Sequence, residues 1–196
     1  MKRQPLNTIS RNVKCSNTKF DICFDTIDDR QGNHVEEYLV VNPKVKNLND
    51  ITGIAILPIC KDMFGLIHIY RHALDSYTWE VPRGFVEPNE DSMASAVREL
   101  YEETGINVKK TSLFAHGLIS PEPGIVSAKT ELYSVNIKSV DIPEKSNFEE
   151  LGHVDFKWFD SQEIKNLFKK NKIFDSTTLL LLSIYIPKLM RSLGDK

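Results

Sequence analysis

The chain has 196 residues, 41% hydrophobic and 27% charged, which allows one globular domain with an appendage or at most two small domains. A formal net charge of -2 gives no global reason to expect nucleic acid or an anionic membrane as partner. An enzyme built this way and acting on phosphates must gather positive charge locally, through metal ions or a few arginines.

Met1–Lys19 is basic and polar without an apolar stretch, so it reads as a loosely ordered segment and not a secretory signal. Phe20–Ile27 and Val35–Val41 read as strands around the turn-rich Asp28–Asn33, giving an N-terminal β-hairpin arm over residues 1–48. The remainder, 49–196, reads as the main domain. Ile51–Cys60 and Gly65–Tyr70 form its first strand pair, Trp79–Val81 a short strand, and Gly84–Asn89 a loop. Asp91–Thr104 is the clearest helix, with Asp91 as N-cap and Gly105 as its stop. Met93, Ala96, Val97, Leu100 and Thr104 recur at helical spacing and predict its buried stripe. Strands follow at Leu113–Ile119, Lys129–Asn136 and Val154–Phe159, then helices at Ser161–Lys170 and Ser176–Leu193. The apolar run Leu179–Ile186 is far shorter than the roughly 20 residues of a membrane span and reads as a buried helix. Strands and helices mix without regular βαβ alternation, which predicts an α+β fold or an α/β/α sandwich around a mixed sheet. Cys15, Cys23 and Cys60 make no CxxC pair and no disulfide framework, in keeping with a reducing cytoplasm. The five histidines are spread over several strands and suggest no zinc site.

Glu99, Glu102 and Glu103 are spaced i, i+3, i+4 and share one outward face, about a quarter turn or more from the Leu100 stripe. Clustered carboxylates repel one another, and near a helix C-terminus the dipole opposes them too. Hard divalent cations with oxygen preference would offset that cost; a solvated acidic face is the simpler alternative. Around them stand Gly84, which lets the backbone approach a ligand closely, Glu90 near the helix start, and Arg98, whose planar fork can hold a neighbouring carboxylate.

The segment GFVEPNEDSMASAVRELYEETGI, residues 84–106, resembles the Nudix box at every defining position. The resemblance implies a Nudix-type α/β/α sandwich that hydrolyses a nucleoside diphosphate linked to another moiety with Mg2+ or Mn2+. It implies metal binding by Glu99, Glu102 and Glu103, orientation of these by Arg98, and a metal contact from the Arg83 carbonyl. Glu99 is also a candidate catalytic base. Outside the box the chain is similar to the ADP-ribose and ADP-sugar pyrophosphatase branch. Tyr70-Arg71 ends a strand before Trp79-Glu80-Val81-Pro82, and Pro121 falls where that branch carries a proline. The likeness implies substrate contacts from Arg71, Trp79, Glu80, Gly84 and Pro121, a general base in the Asp141–Leu151 segment at Glu149 or Glu150, and an arm exchanged between subunits of a homodimer. It points to a small nucleotide sugar as substrate, with neither nucleic acid nor membrane as partner, and to a cytoplasmic enzyme. Two departures alter the pocket rim: Arg83 where the branch has a small residue, and Ser120-Pro121-Glu122-Pro123-Gly124 in place of a compact Ser-Pro-Gly. GDP-sugars therefore stay open as substrates. The rivals are a triphosphate or RNA-end pyrophosphohydrolase with the same box and a non-catalytic nucleotide-sensing module.

Overall fold

Asn7–Ser16 is a strand (β1) and not the loose segment its polar composition predicts. The computed structural model describes residues 5–140, 151–187 and Leu189. β1 lies antiparallel on Phe20–Asp28 (β2), which pairs in turn with His34–Pro43 (β3), so the arm is a three-stranded sheet. Backbone pairing holds β1 in place, since nearly all its residues are exposed. Across it, Arg11 grips the buried Asp25 with two hydrogen bonds, 2.8 and 2.7 Å, and the pairing holds that carboxyl below its ordinary range.

Gly53–Cys60 (β4) is apolar at nearly every position and becomes a central strand buried on both faces. It pairs antiparallel with Met63–Arg71 (β5), whose other edges carry Ser76–Glu80 (β6) and, further down the strand, His153–Asp160 (β10). The short strand Arg83–Phe85 (β7) also lies on β4, so Gly84 sits in extended structure and not in a loop. On the far side β4 runs parallel to Thr130–Asn136 (β9), which pairs antiparallel with Leu113–Ile119 (β8). One parallel contact among antiparallel ones makes the seven-stranded sheet mixed.

Ser92–Thr104 (α1) covers one face, packing Ala96 and Leu100 on Ile54, Ile56, Ile67 and Ile69. Ser161–Lys169 (α2) and Ser176–Tyr185 (α3) cover the other, over Ala55, Leu57 and Leu66. The result is a three-layer α/β/α sandwich in the α+β class. The α1 stripe differs from expectation at one end. Met93 is exposed, whereas Ser92 and Ser95 are buried, because each small hydroxyl finds a partner at close range: Asn47 Nδ2 donates to Ser92 Oγ at 3.1 Å, and Ser95 Oγ donates to Glu90 at 2.6 Å. α3 ends at Tyr185 and not near Leu193, because Ile186, the residue before Pro187, turns extended as that position favours. Its apolar run is half-buried, with Leu181 and Leu182 inside and Leu180 and Ile184 exposed. Among the described residues no helix is long and apolar enough to cross a membrane.

The Asp91 side chain caps α1 by accepting the Ala94 N–H at 2.9 Å, and Gly105 closes the helix in the left-handed region at φ 72°. Asp91→Ala is expected to lower unfolding free energy by about 1 kcal/mol in a urea titration. Asp91→Asn should recover most of it, since the amide oxygen still accepts that N–H.

Candidate active site

The carboxylate face of α1, read from the sequence as outward and about a quarter turn or more from the Leu100 stripe, is not turned to solvent. It lies beneath β7, and Glu103 is only 4% exposed. Glu103 accepts the Arg83 backbone N–H at 3.0 Å. The Glu99 carboxylate rests against Gly84 so closely that a Cβ there would run into it. Gly84 is thus required for the approach of an acidic side chain, not for a turn. Glu102 is the most open of the three.

Arg98 ties this face together. Its Nη1 donates to Glu99 at 2.7 Å and to Glu102 at 3.0 Å, while Nη2 donates to the Phe85 carbonyl at 3.0 Å and to Glu90 at 3.3 Å. Burial works against its charge, yet the Glu99 hydrogen bond and the charges of Glu99, Glu102 and Glu90 outweigh it, so the guanidinium titrates above its ordinary range. Glu90, fixed by Ser95, thereby connects the helix start to the carboxylate end.

A cavity of about 550 Å³ opens between the arm and the sandwich, inside the range of small-molecule sites. Glu87, Glu99, Glu102 and Glu103 line it on the α1 side, together with Gly84. The arm contributes Lys19, Phe20 and Pro43, and Phe20 meets Phe85 edge-on at 5.7 Å between ring centres. Pro121 and Val126 line the opposite rim. The expanded proline segment has a structural task there: Ile125 accepts the Val41 N–H at 2.7 Å, and the Tyr38 hydroxyl donates to Gly124 at 2.6 Å, so this loop fastens to the arm.

Arg71 and Arg83 also reach the cavity, and both bind the same oxygen of Glu80, at 2.7 and 2.8 Å. Glu80 is 1% exposed and lies behind them, so it holds the two guanidiniums and is not itself part of the cavity lining. Arg83 also pairs with Asp175 at 3.0 Å, so this cation at the cavity rim has a carboxylate on two sides. Trp79 is absent from the lining. Its ring stacks on His68 at 4.5 Å, meets Phe159 edge-on and carries Lys157 above it. Glu149 and Glu150 lie outside the described residues.

The donor set fits a hard divalent cation. Glu87, Glu99, Glu102 and Glu103 line the cavity and offer oxygen ligands, and Arg98 pairs with two of them, Glu99 and Glu102. Among the described residues no three His, Cys, Asp or Glu side chains converge as a ready-made ligand cluster. Glu99 and Glu102 are drawn toward Arg98 and Glu103 toward the Arg83 N–H, so they share a cavity without meeting at one point. Such spacing suits a cation that keeps several waters, as Mg2+ does.

Sequence spacing did not disclose Phe20, Lys19, Asp175 or Thr177. Only Asp175 carried a signal, as an acidic residue directly ahead of a helical run; the others come together through tertiary contact alone.

The family model for the NUDIX domain matches residues 53–181. Over 155 residues the chain is 26% identical to an RNA pyrophosphohydrolase of Rhodopseudomonas palustris (strain BisA53), covering 67% of this chain and 88% of that protein. It is 33% identical over 76 residues to the ADP-sugar pyrophosphatase of Mus musculus, covering 39% of this chain and 34% of that one. A crystal structure of an ADP compounds hydrolase superposes over the full length of both chains with a TM-score of 0.73 at 16% identity, a likeness of fold.

Proposed function

The chain belongs to the Nudix family and is a pyrophosphohydrolase, and from that premise we propose that it cuts the diphosphate of a nucleoside diphosphate linked to a sugar. ADP-ribose or a related ADP-sugar is the substrate we infer, giving AMP and a sugar phosphate.

The observation that carries this reading is the order of groups along β7. Phe85 faces the arm and its Phe20, Gly84 lies over Glu99, and Arg83 reaches toward Asp175 at the start of α3. Alternate strand residues lie about 6–7 Å apart. A diphosphate centred at Glu99 then has an aromatic wall on one side, suited to a nucleobase, and a polar end on the other. Arg71, which Glu80 holds at the cavity, meets phosphate oxygens in this reading. Arg98 keeps Glu99 and Glu102 aimed.

Mg2+ or Mn2+, held by Glu99, Glu102 and Glu103 with the Arg83 carbonyl, would neutralise the phosphate oxygens and lower the pKa of a bound water. Glu149 or Glu150, or else Glu99, serves as general base in this reading. The arm leaves Leu6, Ile9, Val13 and Val35 exposed, which supports its use as a homodimer contact.

A second reading is favoured by the RNA pyrophosphohydrolase relatives: removal of pyrophosphate from a triphosphate end. A product assay separates the two. With Mg2+ and a panel of ADP-ribose, other ADP-sugars, GDP-sugars, nucleoside triphosphates and 5′-triphosphorylated RNA, we expect AMP and ribose 5-phosphate from ADP-ribose. Pyrophosphate from the triphosphates, with the sugars left intact, would overturn the first reading.

A further inference from the structure

Thr177 and Thr178 are adjacent, both almost wholly buried at the start of α3, and their hydroxyls have opposite fates. Thr178 Oγ1 accepts the Val81 N–H at 3.0 Å and donates to Asp175 at 2.7 Å, so it is fully used in joining α3 to the segment between β6 and β7. Thr177 is 2% exposed, it lines the cavity, and among the described residues its hydroxyl has no hydrogen-bond partner. Buried polar groups are nearly always satisfied, so one that opens onto a cavity calls for a ligand. The first turn of α3 adds backbone N–H groups that lack partners within the helix.

The charges nearby narrow the ligand. Arg71 and Arg83 carry two positive charges at this end, and Glu80 and Asp175 carry two negative ones in direct contact with them. Among the described residues this end therefore offers guanidinium N–H groups already in contact with carboxylates, a helix start and one hydroxyl as its hydrogen-bonding surface. With Arg71 turned to the diphosphate, the Thr177 hydroxyl is the group left to meet a hydroxyl of whatever the diphosphate carries.

We propose that Thr177, at the α3 end of the cavity, is a specificity-determining contact that hydrogen-bonds a hydroxyl of the sugar carried by the diphosphate. The inference rests on the nucleotide-sugar reading above and adds which residue selects the sugar. Asp175, two residues before Thr177, pairs with Arg83 at one end of β7, whereas Phe85 at the other end meets Phe20, and Thr177 shares the cavity with both. A contact made equally to bound substrate and transition state shows in KM and not in kcat.

The test uses Thr177→Val, which keeps the shape and removes only the hydroxyl, with Thr178→Val as the structural comparison. KM for ADP-ribose is expected to rise about five- to tenfold in Thr177→Val with kcat and melting temperature little changed, the effect of one uncharged hydrogen bond. Thr178→Val should instead lower the melting temperature. Calorimetric binding of ribose 5-phosphate and of AMP, both with Mg2+, gives a readout free of turnover: Thr177→Val should weaken the sugar phosphate and leave AMP unchanged. Equal binding of ribose 5-phosphate by wild type and Thr177→Val, or its absence in both, overturns the proposal. Failure of the wild-type protein to cut any nucleotide sugar is a separate result, and it removes the functional reading itself.

Discussion

Glu103→Gln is expected to lower turnover by about three orders of magnitude, equivalent to about 4 kcal/mol of transition-state stabilisation, while the fold persists. The two halves of that expectation have different origins. Glu103 is buried under β7, and its structural duty is to accept the Arg83 backbone N–H. A glutamine has the same length and an oxygen able to accept the same bond, so β7 stays in place. What the substitution removes is a negative charge and one oxygen ligand inside a cavity whose lining is acidic. If that charge holds a divalent cation, Mn2+ affinity measured by calorimetry should fall along with turnover, and added metal should recover part of the activity. Near-normal turnover in a folded Glu103→Gln protein would falsify the assignment of this carboxylate to the metal.

Periodicity and caps explain why so much of α1 was legible in advance. Asp91 and Gly105 each act through their own backbone neighbourhood, and Ala96 and Leu100 repeat at a spacing only a helix presents to one side. The apolar run of β4 likewise announces a strand covered on both faces. Features that depend on distant partners did not show. β1 is polar and exposed, and it exists because the β2 edge offers it hydrogen bonds. Glu103 looked solvent-facing because helical geometry gives a residue's direction around the axis but not what is packed there; β7 is packed there. Trp79 stands near the box in sequence, yet pleating sends it to the side of the sheet that carries His68 and Phe159. Thr177 had no local signal at all, since its meaning lies in a cavity closed by the arm and by β7. The end of α3 was within reach of the sequence, because Pro187 restricts Ile186 whatever its environment.

Gly84→Ala isolates geometry from chemistry at the same site. The glycine is extended and paired with Ile54 in β7, and its φ is not positive, so alanine meets no intrinsic backbone strain there. The added methyl would occupy the space of the Glu99 carboxylate. Either β7 lifts or Glu99 swings away, and the second is cheaper because β7 is pinned by its pairing with β4 and by the Glu103 bond. Swinging Glu99 breaks its 2.7 Å contact with Arg98 and moves one proposed metal ligand by an ångström or more. Displacements of that size cost about 10²-fold in rate, so turnover should fall by about that factor with little change in melting temperature. A double-mutant cycle with Glu99→Ala makes the cause visible. With the carboxylate already gone, the methyl has nothing to displace, and Gly84→Ala should cost almost nothing further in turnover or in Mn2+ affinity. If the two losses instead multiply, the glycine matters for some reason other than its contact with Glu99, and the close approach is incidental.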